Sequence, residues 1–267
     1  MPAEEKFTPH DSPVLDVRDV SINFGGLKAL QHLSFTIPKK TVFSIIGPNG
    51  AGKTTFFNIA TGIYRPTSGS ILFYGEDIVD LEPSAIVKKG ICRTFQNIRL
   101  FQNLTVLENV LIGEHIHYRA TLPDILLKTK KFKKEEAESI DRAAEILKYV
   151  GILDAANELA KNLPYGKQRR LEIARALATD PKLILLDEPT AGMNPTESEE
   201  MVQLFLRICN EKDICVLMIE HDMKVVMGVS QKILVLNFGK QIAFGSPSEV
   251  LQNEEVITAY LGHKRVV

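Results

Sequence analysis

Short apolar runs separated by glycine-rich turns dominate the opening part of the chain, to about Gly75. Val14 to Phe24, Leu33 to Ile37, Thr41 to Ile46 and Ile71 to Tyr74 combine β-branched and aromatic residues over strand lengths, and Gly25-Gly26 and Gly69 punctuate them. These runs predict strands. One helix interrupts them: it begins at about Lys53, directly after the most apolar run, which makes Gly47 to Gly52 a strand-to-helix loop.

From about Asn97 to Tyr165 the apolar period lengthens. Ile140, Ala143, Ala144, Leu147 and Val150 recur at helical spacing until Gly151 stops the run, which predicts a helical lobe over 97–165 inserted in a single domain spanning 1–267. Strands and helices then alternate: a helix carrying Leu171, Ala174, Leu177 and Ala178, a strand Leu183 to Leu186, a helix from about Pro195 and a strand Cys215 to Ile219. That order predicts an α/β fold with a parallel sheet. Ile233 to Asn237 and Gln241 to Phe244 flank Phe238-Gly239-Lys240 as a hairpin, and Ser246-Pro247-Ser248-Glu249 carries the cap, proline and carboxylate that open a short helix. No internal repeat or low-complexity stretch interrupts the pattern.

Composition narrows the class. Hydrophobic residues make up 45% and charged residues 24% of the 267, ordinary soluble usage that excludes disorder and fibrous repeats. Lys plus Arg number 32 against 33 Asp plus Glu, so the chain lacks the positive field of a nucleic-acid binder. Cys92, Cys209 and Cys215 are odd in number and scattered, which predicts three buried thiols in a reducing compartment. No apolar run reaches the roughly 18 residues needed to cross a bilayer, and the start around Glu4 and Glu5 is too acidic for a signal peptide. The expected location is the cytosol, with membrane contact made through partner proteins.

Four motifs carry chemistry. Gly47-Pro48-Asn49-Gly50-Ala51-Gly52-Lys53-Thr54, followed by Thr55, fits the phosphate-binding loop G-x-x-x-x-G-K-T. Glycines there turn backbone N–H groups toward phosphate, Lys53 reaches the β- and γ-phosphates, and Thr54 is a Mg²⁺ ligand. Leu183-Ile184-Leu185-Leu186-Asp187-Glu188 is a buried strand ending in two acids: Asp187 suits Mg²⁺, and Glu188 suits a general base acting on the attacking water. His221 ends the next strand at the same sheet edge, and Gln96 closes the first α/β part where its amide can bond Mg²⁺ and water.

In this order, with Leu163-Pro164-Tyr165-Gly166-Lys167-Gln168 between Gln96 and Asp187, the chain resembles an ABC ATPase over nearly its whole length. The resemblance implies a P-loop ABC-type core with an N-terminal antiparallel β subdomain and an inserted helical subdomain. It also implies ATP and Mg²⁺ as cofactors, adenine stacking on Phe24, and a signature over Leu163 to Gln168 that meets the γ-phosphate held by the opposite subunit. Tyr165, Gly166 and Gln168 are the signature residues expected at that nucleotide. Two departures are visible: Pro164 stands for the signature serine, and Asn194 for the usual aspartate of the Gly192-Met193-Asn194 interface loop. They bear on γ-phosphate sensing and on communication between sites.

Arg93-Thr94-Phe95-Gln96-Asn97-Ile98-Arg99-Leu100-Phe101, Leu104 to Val110, Gly166 to Leu177 and the ending Ile257-Thr258-Ala259-Tyr260-Leu261-Gly262 are similar to ATP-binding subunits of branched-chain amino-acid importers. That similarity implies two membrane permease subunits, a second ATP-binding subunit that makes a homo- or heterodimer, a solute-binding protein acting indirectly, and a place on the cytoplasmic face of the membrane. Urea and amide importers, a lipopolysaccharide exporter and non-transport ABC ATPases remain as alternatives. His115-x-His117 lacks nearby third and fourth ligands for a metal site, and Lys128, Lys130, Lys131, Lys133 and Lys134 read first as a solvated helix start, second as a contact for anionic lipid headgroups.

Overall fold

A computed structural model describes residues 13–261; Glu4, Glu5 and Gly262, which enter the sequence reading, lie outside them. Strands β1 (Leu15–Phe24) and β2 (Leu27–Ile37) pair antiparallel, and β3 (Val42–Ile46) leads into helix α1 (Lys53–Ala60). Next come β4 (Ser68–Phe73), β5 (Glu76–Asp77), α2 (Pro83–Lys89) and β6 (Ile91–Arg93). The chain then turns helical through α3 (Val106–Glu114), α4 (Leu122–Leu126), α5 (Lys130–Val150) and α6 (Tyr165–Leu177). The alternation returns with β7 (Leu183–Asp187), α7 (Pro195–Lys212), β8 (Cys215–Ile219), α8 (Met223–Val229), β9 (Lys232–Asn237) and β10 (Lys240–Gly245), and α9 (Pro247–Leu251) and α10 (Glu254–Leu261) follow.

The strands form two sheets. One is antiparallel in the order β2-β1-β4-β5; the other has the order β10-β9-β3-β8-β7-β6, parallel except for the β9–β10 hairpin. β3, β7 and β8 are buried at every position, because the antiparallel sheet covers one face of the parallel sheet and helices cover the other. Phe35, Phe43 and Phe56 pack ring against ring between the sheets, while Leu147, Leu171 and Phe205 join α5, α6 and α7 to the second face. The carboxyl ends of β3, β7 and β8 therefore open at one edge, where such sheets present their functional loops.

Local chemistry explains the boundaries. Gly151 ends α5 in the left-handed region at φ 79°, and Ser246 with Glu249 makes a reciprocal cap for α9. The pattern of apolar residues did not reveal β6, α2 or α8. A three-residue strand and two seven-residue helices are too short for a period to register. The thiol reading needs one correction: Cys209 and Cys215 are buried, but Cys92 is only half-buried, because its strand β6 lies at the sheet edge. Burial pushes the Cys209 thiol up to about 11. Among the described residues no helix is long and apolar enough to cross a membrane.

Candidate active site

The phosphate-loop residues leave β3 and enter α1 through left-handed backbone, with φ 148° at Gly47, 78° at Gly50 and 103° at Gly52. Side chains have no room at two of these positions: a Cβ on Gly47 would lie 2.1 Å from the Leu236 carbonyl oxygen, and one on Gly52 would lie 2.7 Å from that of Ala29. The loop is thus a backbone cradle between the two sheets. Lys53, buried at the first position of α1, donates from Nζ to the carbonyls of Gly47 (2.6 Å) and Pro48 (2.9 Å). Burial lowers its pKa, and the carboxylates of Glu188 and Asp187 oppose that shift. The α10 helix reaches the same loop, since the Tyr260 phenol, raised by burial, also feels a hydrogen bond from the Gly47 backbone.

Two side chains predicted from separate parts of the sequence meet at Glu188. Gln96 Nε2 donates to its Oε2 at 2.9 Å, and His221 Nε2 lies 2.8 Å from its Oε1. Glu188 sits at φ 47°, in a left-handed conformation that a non-glycine residue holds only when its surroundings over-determine it. That turn swings its carboxylate off the line of β7 toward Gln96 and His221. Behind His221, buried Glu220 accepts hydrogen bonds from the Thr190 amide and hydroxyl and from the His221 amide, tying the loop after β7 to the loop after β8.

Asp187 is held by a residue to which the sequence reading assigned no role. Arg93 Nη2 donates to Asp187 Oδ2 at 2.9 Å, with side chains 7% and 5% exposed, and Arg93 Nη1 donates to Asn58 Oδ1 at 2.6 Å. The guanidinium lies between the rings of Phe57 and Phe95, 5.3 and 5.4 Å from their centroids. Arg93 ends β6, the strand that periodicity missed, so only the pairing of β6 with β7 brings it beside Asp187. Arg93→Met should destabilise the fold by about 3–5 kcal/mol, because it leaves a buried carboxylate unpaired. Equilibrium urea unfolding of the variant beside the wild type measures this, and a loss under ~1 kcal/mol would mean that Asp187 is neutralised in another way.

A second clamp fixes the Gln96 segment. The fully buried Arg169 donates to the carbonyls of Phe95 (2.8 Å) and Gln96 (2.9 Å) and pairs with Glu172 at 2.7 Å. Both residues lie on α6, so the helix that begins at the signature residues also holds the loop carrying Gln96. The signature joins this clamp through the Tyr165 hydroxyl, which accepts from Arg169 Nη2 at 3.2 Å. Tyr165 is exposed and lies against Gly192, a Cβ on Gly166 would stand 3.2 Å from Glu197, and Gln168 Nε2 donates to the Leu163 carbonyl at 2.9 Å. Pro164 is the N-cap of α6 and offers no side-chain cap bond. Asn194 caps α7, accepting from the Glu197 amide at 2.9 Å, a local role that asparagine and aspartate fill equally well. Phe24, at the end of β1, is exposed and meets Tyr64 edge-on with ring centroids 5.2 Å apart.

The donor set suits Mg²⁺. The buried Asp187 carboxylate, the Gln96 amide and the Thr54 hydroxyl are all hard oxygen donors, and the Thr54 side chain makes no hydrogen bond to the described residues. A backbone cradle backed by a buried ammonium, beside a carboxylate fixed by an amide and an imidazole, defines a nucleotide-binding P-loop cassette.

The chain belongs to the ABC transporter family. The model described as ABC transporter matches residues 30–191, and one described as Branched-chain amino acid ATP-binding cassette transporter matches residues 240–265. Among curated proteins, the chain is 45% identical to the high-affinity branched-chain amino acid transport ATP-binding protein LivG of Escherichia coli, covering 94% of this chain and 98% of that protein. It is also 45% identical, with the same coverage, to the corresponding protein BraF of Pseudomonas aeruginosa. Among solved structures, it is similar to the ADP conformation of an ATP-binding cassette of an ABC transporter, with TM-score 0.82, 35% identity, and 94% of this chain and 99% of that chain covered. A dimeric bacterial ABC transporter cassette matches with TM-score 0.74 and 28% identity, over 87% of this chain and 98% of that one.

Proposed function

We propose that the chain is the ATP-hydrolysing subunit of a branched-chain amino-acid importer. It acts at the cytoplasmic face of the membrane beneath two permease subunits, beside a second ATP-binding subunit, while a solute-binding protein delivers the cargo. The observation that carries the reading is the Glu188 carboxylate, fixed between Gln96 and His221 next to the phosphate loop. A domain that only sensed nucleotide would not need that group. The cargo follows the names of LivG and BraF, both described as branched-chain amino acid transport ATP-binding proteins.

ATP would lie with its adenine on Phe24 and its phosphates in the cradle over Gly47 to Thr55. The Lys53 ammonium exchanges its bonds to Gly47 and Pro48 for the β- and γ-phosphate oxygens. Asp187, Thr54 and Gln96 would hold Mg²⁺, which neutralises phosphate charge when bound. Glu188 takes the proton of the attacking water, and the His221 ring and the Gln96 amide hold its two oxygens in place. The first turn of α6 in the opposite subunit, with Tyr165, Gly166 and Gln168, completes the site at the γ-phosphate. The helical segment 97–165 is an inserted lobe that passes closure to the permeases, and α6, which follows it, ties it to the catalytic loop through the grip of Arg169 on Phe95 and Gln96.

Uptake of labelled leucine into proteoliposomes that carry the permeases, with the binding protein outside and this chain and ATP inside, tests the assignment. The expected result is accumulation that needs both ATP and the chain; uptake independent of either contradicts it. Pro164 supplies a second test. A serine there restores a hydroxyl and an N–H worth roughly 1.5–3 kcal/mol against a charged phosphate oxygen, so Pro164→Ser should raise turnover about tenfold or more. The rate is read at saturating ATP and at a protein concentration that populates dimers. An unchanged or lower rate would leave phosphate recognition to the Tyr165 and Gly166 amides and the helix dipole, with proline as a plain helix start.

A further inference from the structure

The part of the helical segment farthest in sequence from the catalytic loops breaks two rules of surface design. Leu122, Leu126 and Leu127, in and just after α4, are 75%, 82% and 77% exposed, and Ile125 beside them is also exposed. They form an apolar knob on a five-residue helix and its C-cap. Exposed single leucines are ordinary, but four apolar residues within six positions are not.

The second anomaly follows directly. Helix α5 opens with Lys130, Lys131, Lys133 and Lys134 and has no acidic residue in its first turn, although the helix dipole favours carboxylates there and repels cations. With Lys128, all five lysines are exposed. Lys131 is drawn to Asp124 and to the Arg119 carbonyl, and Lys134 pairs with Glu138, but Lys128, Lys130 and Lys133 make no ion pair with the described residues. The neighbouring carboxylate Glu135 is turned inward, accepting from the amides of Arg119 and Ala120. Local helix chemistry therefore gains nothing from Lys128, Lys130 and Lys133, which is the pattern of residues kept for a partner.

We infer that α4 and the start of α5 form a docking knob for an anionic lipid surface, with the leucines entering the headgroup boundary and Lys128, Lys130 and Lys133 lying among the phosphates. Apolar residues flanked by cations are the combination by which interfacial helices recognise anionic bilayers, whereas an acidic protein partner would need the lysines but not a ring of solvated leucines. The whole chain carries a net charge of only −1, so the attraction belongs to this patch and not to the molecule at large. The knob would give the cassette its own weak hold on the membrane, beyond any contact through permeases.

Flotation of the full chain with vesicles of phosphatidylcholine alone, or with about a third phosphatidylglycerol, tests the inference without nucleotide or permease. Wild-type protein should float with the anionic vesicles only, and less as salt rises. Each lysine near such a surface is worth about fivefold in affinity, so a variant carrying Lys128→Gln, Lys130→Gln and Lys133→Gln should bind on the order of a hundredfold more weakly. Leu126→Ser with Leu127→Ser should weaken binding while leaving the ATPase rate of the isolated chain unchanged, since neither residue touches the nucleotide site; circular dichroism confirms that both variants fold. Failure of the wild type to float with anionic vesicles, or equal flotation of the lysine variant, overturns the inference. So does loss of permease co-purification in these variants without loss of vesicle binding, which would assign the knob to a protein partner.

Discussion

Lys53→Ala is expected to lose ATP binding. The wild-type ammonium is buried at the start of α1 and already makes two short bonds to oxygens of the loop, at 2.6 and 2.9 Å. Its position is therefore set before phosphate arrives, and little side-chain entropy is lost in the exchange. Two hydrogen bonds to charged phosphate oxygens are worth roughly 3–6 kcal/mol together, which corresponds to about a hundredfold to ten-thousandfold in affinity. Alanine leaves the β- and γ-phosphates facing the Asp187 and Glu188 carboxylates without that ammonium between them. Isothermal titration with ATP and Mg²⁺ reads the effect, and wild-type affinity in the variant would mean that the cradle does not hold the phosphates.

Glu188→Gln separates binding from chemistry. Glutamine keeps the shape of the side chain at its left-handed position and still meets the Gln96 and His221 groups, so affinity should stay within about a factor of two or three. It cannot accept a proton from water at neutral pH. General-base assistance contributes typically 10²–10⁴-fold, and turnover should fall by about that amount. ATP should then remain on the protein uncleaved through gel filtration, in a closed dimer that the wild type does not accumulate. Recovery of ADP in place of ATP on the variant would show that another group activates the water.

The parts of this site that could be read from the sequence are those built on local spacing. The phosphate loop is eight consecutive residues between a buried strand and a helix, and Asp187-Glu188 ends a strand apolar at each preceding position, so both could be placed before any tertiary contact was known. Gln96 and His221 follow from order along the chain alone, and the structure joins them to Glu188 across separations of 92 and 33 residues. The clamps were not legible for the same reason reversed. Arg93 meets Asn58 and Asp187 at separations of 35 and 94 residues from a strand only three residues long, and Arg169 meets the Gln96 carbonyl at a separation of 73. Arg93 is a single cation with no local pattern around it, and the local pairing of Arg169 with Glu172 does not point to Gln96. Asn194 shows the opposite limit: compared with the family it looked like a lost carboxylate, but its side chain serves as the cap of α7, which its own tetrapeptide Asn194-Pro195-Thr196-Glu197 already spelled out.

The short bonds around Glu188 make one claim central: its carboxylate, held by Gln96 and His221, turns a nucleotide-binding cassette into an ATPase. Steady-state phosphate release at saturating ATP and Mg²⁺, measured side by side for the wild type and Glu188→Gln, tests it most directly. The account predicts steady release from the wild type and a rate lower by about two to four orders of magnitude in the variant. Equal rates would contradict it and make His221 the leading candidate for the base.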